Sequence, residues 1–327
     1  MPNTKTHALT ATANAPRLDM LVATYLDLSR NQAATLIATG QVTIDGRREK
    51  ASYRARAGEQ VTVAIPPSPN REVVGENIPL NIVFEDDDLL VVDKPGGMVV
   101  HPAPGNWTGT LVNALKGRGG ALSSVTDEFR EGIVHRLDKE TSGLLLVARS
   151  DRAHRALGAA LQARAIIRRY AALAWGHLSS DRLTVEKPIA RDPRDRKRMA
   201  VVNSGRPART DLTRLARFDS TDLLRAHLHT GRTHQIRVHL ASIGHPLVGD
   251  DTYGGGGGRK LVGLPPRRHF LHAAWLVFRH PVSGKMIDLR SPLPGELHRA
   301  LVAAAGPDVS IADTDPLAFF GFYNVDP

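Results

Sequence analysis

Between residues 66 and 77 the chain carries Pro66, Pro67, Pro69, Asn70 and Gly75, a composition that suits neither a helix interior nor a central strand. A chain of 327 residues broken in this way should fold as two units, a short one over 16–65 and a long one over 78–305, with 66–77 as a linker. Hydrophobic residues make up 42%, enough to give a globular core. Residues 1–15 are rich in Thr, Ala and Asn and lack an apolar signal-peptide core, so they read as a disordered tail. The other end, 306–327, has four Asp, no Lys or Arg, and the aromatics Phe319, Phe320, Phe322 and Tyr323. It either stays disordered or docks those rings on the body.

In the short unit Leu18, Leu21 and Val22 fall at helical spacing, and Tyr25 and Leu26 extend the face. Ser29 is placed to cap a second helix through Ala33, Ala34, Leu36 and Ile37, which Gly40 closes. Val42-Thr43-Ile44 alternates as a strand into Asp45-Gly46, a hairpin turn pair, and Gly58 turns the chain into Val61-Thr62-Val63. The order helix, helix, β-ribbon resembles an S4 RNA-binding domain. Arg17-Leu18-Asp19, Leu28-Ser29-Arg30, Leu36-Ile37-Ala38-Thr39-Gly40-Gln41-Val42 and Asp45-Gly46 carry the resemblance. It implies that Arg30, Arg47, Arg48 and Lys50 meet phosphates, contacts that set position and affinity but not sequence. The competing reading is the solvated surface of an ordinary small domain. A formal charge of +10 and a pI near 10.2 point the whole chain toward a polyanion.

The long unit mixes apolar runs at 89–92, 143–148 and 169–175 with a helix after Ser150 carrying Ala153, Leu157 and Leu161. Strands and helices without regular βα alternation indicate an α+β fold. The five glycines 254–258 run into Arg259-Lys260-Leu261 and lack the Gly-Lys-Ser/Thr of a phosphate loop, so they read as a flexible surface loop. There is no cysteine, which removes disulfides, thiolate nucleophiles and cysteine-held metals and suits a reducing cytoplasm. No stretch has the apolar length needed to span a bilayer.

His135-Arg136-Leu137-Asp138-Lys139-Glu140-Thr141-Ser142-Gly143 packs charge into a turn that leads straight into an apolar strand. Loops held by rigid strands are where catalytic groups sit. Taken alone, the turn fits a structural salt-bridge knot equally well. His-Arg-Leu-Asp followed by Thr-Ser-Gly resembles the catalytic motif of RluA-type pseudouridine synthases. Further matches follow in order: Asp93-Lys94-Pro95-Gly97 with Val100-His101-Pro102, then Arg168-Arg169-Tyr170. Thr230-Gly231-Arg232-Thr233-His234-Gln235-Ile236-Arg237-Val238-His239, Gly244-His245-Pro246-Leu247-Val248-Gly249-Asp250 and Leu271-His272-Ala273 complete the series. With the S4-like unit in front, the resemblance spans roughly 17–294.

That resemblance implies roles. Asp138 matches the essential aspartate, Tyr170 the aromatic that stacks on the target base, and Arg237 the arginine that pairs with the carboxylate. Arg136 matches the arginine that reaches into RNA around a flipped nucleotide. Arg168 stands where the family often has Lys, a change that keeps the charge. The run 191–198 matches a segment near the cleft, so Arg196 and Arg198 join Arg168 and Arg232 as expected RNA contacts. Lys94 and His101 read as scaffold, Gly143 and Gly231 as residues of backbone geometry.

The implied reaction moves the ribose bond of uracil from N1 to C5. A carboxylate can serve it as nucleophile or base. Attack on the ring, attack on the ribose and ribose deprotonation all stay open. Arg237 would keep Asp138 ionised, and Tyr170 would hold the loosened base by its π face. Flipping the nucleotide costs a few kcal/mol, least in loops and single strands. His227 and His229 share a face if 223–230 is a strand, with His234, His239 and His245 nearby, yet no His-Glu-x-x-His spacing occurs. We therefore expect no metal and no cofactor. The resemblance implies a long, mostly antiparallel mixed sheet, with the site in a basic cleft and Asp138 on its floor. Large-subunit ribosomal RNA is the expected partner, alone or in the assembling subunit, for a cytoplasmic monomer. A synthase acting on transfer RNA and a non-catalytic RNA-binding assembly factor are the alternatives.

Overall fold

The computed structural model describes residues 5–12, 15–26, 28, 30–65, 72–103, 105–126, 129–256, 264–307, 309, 311 and 313–324. Ser29, with its expected cap, lies outside these, as do 66–71 of the expected linker and 257–258 of the glycine run. The chain divides into a unit over Met1–Glu72 and a unit over Val73–Pro327. No described helix is long and apolar enough to cross a membrane.

In the first unit β1 (Lys5–Thr10) precedes α1 (Leu18–Tyr25), α2 (Arg30–Ala38), β2 (Val42–Ile44) and β3 (Gln60–Ile65). The helices and the antiparallel sheet β1-β3-β2 share one core of Leu18, Val22, Ala33, Ile37, Val42, Ile44, Val61 and Val63. Asp45 and Gly46 are both left-handed (φ 47 and 78), and Ile44 and Arg47 exchange backbone hydrogen bonds across them at 2.8 Å. That is the geometry of a two-residue hairpin turn.

The expected disordered tail needs correcting, because Lys5–Thr10 pairs residue for residue with β3, from Lys5↔Ile65 to Thr10↔Gln60. The segment has too few apolar residues to announce itself. Its backbone instead completes the open side of β3, and Ala11 is buried behind it.

The second unit is built on a nine-stranded sheet among the described residues. β4 (Asn81–Glu85) and β5 (Leu89–Lys94) lead to α3 (Leu111–Arg118), β6 (Ser142–Ala148), α4 (Asp151–Gln162) and β7 (Ile167–Trp175). Next come β8 (Arg182–Glu186), the small hairpin β9 (Ile189–Arg191) and β10 (Met199–Val201), β11 (Arg209–Arg217) and β12 (Thr221–Leu228). The chain ends with α5 (Gln235–Ser242), β13 (Leu271–Arg279), β14 (Met286–Arg290), α6 (Gly295–Ala305) and α7 (Pro316–Phe319). The strand order is β4-β5-β6-β13-β7-β12-β11-β8, with β14 also on β13. Only β13 and β6 pair in parallel; the other ladders of this sheet are antiparallel.

Alternation along the central strands feeds two cores. Tyr170 and Ala172 of β7, with Leu224 and Ala226 of β12, face one with α3 and α5, while Ala171, Leu173 and Leu223 face the other with α6. Ser150 caps α4 by accepting the Ala153 N–H, and Ala153 and Leu157 bury its apolar face on β5 and β6.

Two further expectations change, for the linker and the glycine run, and of the two readings left open for the last segment docking holds. The linker is shorter than 66–77: Val73 is buried, Asn113 of α3 donates to Val74 O at 2.8 Å, and Glu76 N–H donates to Asn113 O at 2.9 Å. The end of the chain is docked, with Ile311, Leu317 and Phe322 fully buried on the α6 core. Gly255 is also no surface loop. A Cβ there would run into Leu247 O, and its carbonyl accepts the Trp175 indole N–H at 2.7 Å.

Candidate active site

The loop that carries Asp138 is held from several sides before it enters β6. Lys94, fully buried, donates to the carbonyls of Pro95 (2.7 Å), Met98 (3.0 Å) and Lys139 (3.1 Å). Burial pushes its amine down to about 7, while those three acceptors suit the ammonium. Buried Arg268 donates to the Glu140 carbonyl and to Ser142 Oγ. Thr141 Oγ1 bonds His269 at 2.9 Å, and Leu137 is buried beneath the loop. Gly143 lies at φ 108, and a Cβ there would run into the Ala273 backbone, so the parallel β6–β13 approach requires glycine.

Asp138 lines a small pocket with Tyr170, Leu137, Thr141, Leu228, Leu271 and residues 234–237. It is the one carboxylate among the residues lining it. Arg237 Nη1 donates to Asp138 Oδ2 at 3.2 Å. The same guanidinium makes a two-pronged pair with buried Asp250, Nε to Oδ2 at 2.8 Å and Nη2 to Oδ1 at 2.9 Å. Burial opposes its charge, but Asp250 and Asp138 more than compensate and push Arg237 above its ordinary range. Arg237 is thus a fixed cation, oriented by one carboxylate and offered to another.

Tyr170 sits on β7, 4% exposed, and its ring wall is continuous with the pocket. Burial pushes its phenol up, so the hydroxyl stays protonated.

Beside the pocket lies a cleft of about 730 Å³ lined by Arg130, Arg136, Arg164, Arg168, Arg206 and Arg232, with no acidic side chain among the described residues of its lining. Arg136 and Arg232 line both spaces. The buried Nε of Arg168 has no hydrogen-bond partner among the described residues, a donor left over on the cleft wall. A cleft lined in this way attracts polyanions.

The other expected contacts are spread more widely. Arg198 lies 5.1 Å from the Tyr253 ring centroid, near the pocket, while Arg196 lies in the exposed β9–β10 turn, its carbonyl taken by Arg191. In the first unit Arg47, Arg48 and Lys50 are exposed. Arg30 is committed to buried Asp19 at 2.9 Å, so it holds α2 to α1 before it meets any phosphate.

Of the histidines, His227 and His229 do share a face with Asp211, one donor atom of each lying within 4.8 Å of the others. Asp211 is already bonded by Arg209, Thr184 and His229, and burial and then His229 push His227 down to about 4. A second group, Asp86, Asp88 and His280, is similarly spoken for. His280 Nδ1 accepts two backbone N–H groups, and its Nε2 lies 2.8 Å from Asp86 Oδ2.

Three residues of the site had no role assigned to them from the sequence, His234 having been weighed only beside a possible metal group. Asp250 and His234 lie inside quoted motifs, and Tyr253 lies outside them. Each matters through a partner that only the fold brings near.

Comparison with known proteins agrees with this geometry. The RNA pseudouridylate synthase family model matches residues 88–242, and the S4 domain model matches 16–61. An uncharacterized RNA pseudouridine synthase of Bacillus subtilis (strain 168) is 44% identical over 282 residues, 86% of this chain and 91% of that one. The ribosomal large subunit pseudouridine synthase D of Nitrosomonas europaea is 45% identical, over 88% of this chain and 84% of its own. Among solved structures, human RNA pseudouridylate synthase domain containing 1 superposes with a TM-score of 0.56 at 29% identity, over 77% of this chain and 98% of that one.

Proposed function

The chain belongs to the RNA pseudouridylate synthase family, and on that footing we propose that it isomerises uridines of large-subunit ribosomal RNA, with Asp138 as the reacting carboxylate. The observation that carries the reading is the lone carboxylate of the pocket, paired to Arg237 at 3.2 Å, where a small pocket meets an arginine-lined cleft. The substrate class rests on relatives named as large-subunit ribosomal synthases. The same reading makes the chain a cytoplasmic monomer working on the ribosomal RNA of the growing subunit.

The cleft would bind phosphates through Arg130, Arg164, Arg168 and Arg206, leaving sequence choice to the bases. The pocket beside Asp138 is small, about 50 Å³, and open on one side. Arg136, an exposed side chain lining both spaces, stands where a flipped base would enter and is placed to reach into the RNA. Tyr170 then meets one face of the ring, a contact that tolerates rotation of the detached base better than directional hydrogen bonds do. Leu228 and Leu271 close the pocket against water, which would otherwise capture the ribose once the N1 bond breaks. Forming the C5 bond expels the hydrogen of C5.

That hydrogen is the readout. With ribosomal RNA carrying tritium at uridine C5, the wild-type chain should release tritium and Asp138→Asn should release none. Release by the variant at the wild-type rate would remove Asp138 from the chemistry. Release from transfer RNA and not from ribosomal RNA would change the substrate and keep the enzyme. Tight RNA binding without release from either would leave a non-catalytic assembly factor.

A further inference from the structure

A second side chain approaches the other carboxylate oxygen of Asp138. His234 stands at the start of α5 in the left-handed conformation (φ 56, ψ 23), uncommon for a residue other than glycine. Its Nε2 lies 3.8 Å from Asp138 Oδ1, while Arg237 occupies Oδ2. Its Nδ1 lies 2.8 Å from the hydroxyl of Tyr253. That hydroxyl accepts the backbone N–H of Met199 at 3.0 Å, which leaves its own proton to donate to Nδ1. An Nδ1 that accepts keeps the imidazole proton on Nε2, facing the carboxylate. The other tautomer would aim a lone pair at Asp138.

We propose that Tyr253 and His234 are a positioning pair for Asp138, Tyr253 fixing the tautomer and His234 presenting its Nε2–H to Oδ1 during turnover. The inference rests on the reading of Asp138 as the reacting carboxylate. Contacts of this kind are often long before substrate fills a site and tighten when it does. Whether Asp138 attacks the ring, attacks the ribose or takes a ribose proton, it begins and ends the cycle as a carboxylate. A donor on Oδ1 and another on Oδ2 fix its orientation.

The groups facing the imidazole are consistent with a neutral donor. Burial lowers its basicity; Asp138 and Asp250 oppose this, and Arg237 and Arg136 add to it. Buried His269 is close enough to feel the charge of His234, and the Tyr253 ring stands edge-on to His234 with centroids 5.7 Å apart. Tyr253 also lies under the Arg237 guanidinium, 5.0 Å from centroid to Cζ. Through Met199 it ties the β9–β10 hairpin, which carries the basic run 191–198, to the catalytic carboxylate.

The test is the rate of tritium release against pH, with kcat and KM separated, for wild type, His234→Ala, His234→Gln and Tyr253→Phe. His234→Ala should lower kcat on the order of tenfold to a hundredfold, as loss of one preorganised donor does, with KM little changed. Its acid limb should move to higher pH, because removing a donor from a carboxylate favours protonation. His234→Gln, whose amide N–H can reach the place of Nε2, should recover part of kcat and bring the limb back. Tyr253→Phe should lose less, in the same direction. An acid limb that stays in place in His234→Ala overturns the proposal whatever happens to kcat, and Tyr253→Phe at the wild-type rate removes Tyr253 from it. A wild-type chain that releases no tritium is a different failure, that of the enzyme assignment itself.

Discussion

Arg237 is divided between two carboxylates, and the division explains why a residue outside the chemistry should matter. Asp250 grips two of its nitrogens and leaves Nη1 for Asp138. Replacing Asp250 with Asn keeps the shape but removes the charge that balances a buried guanidinium. Breaking a buried pair from one side costs about 3–5 kcal/mol, so urea unfolding of Asp250→Asn should show a loss of that order. Tritium release should fall with it, on the order of tenfold to a hundredfold, because the fork aimed at Asp138 is no longer fixed. Wild-type stability and rate in this variant would mean that Arg237 is oriented by something else. The loop of Asp138 stands out in the sequence because it concentrates charge ahead of an apolar strand, but that pattern fits a salt-bridge knot equally well, and only the resemblance of the surrounding motifs singled out Asp138. Asp250 was not singled out, since nothing in Gly249-Asp250 says that the guanidinium 13 residues earlier turns toward it.

At the scale of elements, legibility followed how far each segment carries its own pattern. α4 announces itself through Ser150, Ala153 and Leu157, and β6 through an unbroken apolar run. β1 and the last segment do not, because each is ordered by a surface supplied elsewhere, β3 for one and the α6 core for the other. Phe322 is fully buried there against Ala171, Leu173 and Leu223, the back of the strands whose front carries Tyr170. Its carbonyl accepts from Arg225 of β12 at 2.9 Å. Phe322→Ala should therefore cost about 3–5 kcal/mol, the range for emptying a buried aromatic site. Calorimetry should show a clearly lower Tm for the second unit. An unchanged Tm would mean that the docked segment is only loosely held.

For the whole molecule, the order of strands is what the sequence withheld. β13 pairs with β6 and β7, which precede it by more than ninety residues, and no local pattern encodes that return. The same closure buries histidines, and this sets a pH limit on the fold. His272 is 1% exposed; its Nδ1 faces Ser142 Oγ at 2.9 Å and its Nε2 donates to Ser291 O at 3.2 Å. Burial pushes it down to about 4, and His269 is pushed well below its ordinary value by burial and by Arg237 and Arg268. Both are neutral in the fold and become charged on unfolding once pH falls below about 6.5. A depressed histidine adds stability that is whole above that pH and is lost as pH drops toward the folded value. For His272 alone the loss at pH 5 is about 2 kcal/mol. His269 adds to it in the same direction, and the +10 charge grows as carboxylates protonate. Against a total of about 5–15 kcal/mol, the second unit should weaken visibly between pH 6.5 and 5. Trp107, Trp175 and Trp275 are the only tryptophans and all lie in that unit, so urea unfolding followed by their fluorescence reads it alone. Stability that stays flat across that interval would mean that these rings take up protons in the fold as readily as in the unfolded chain.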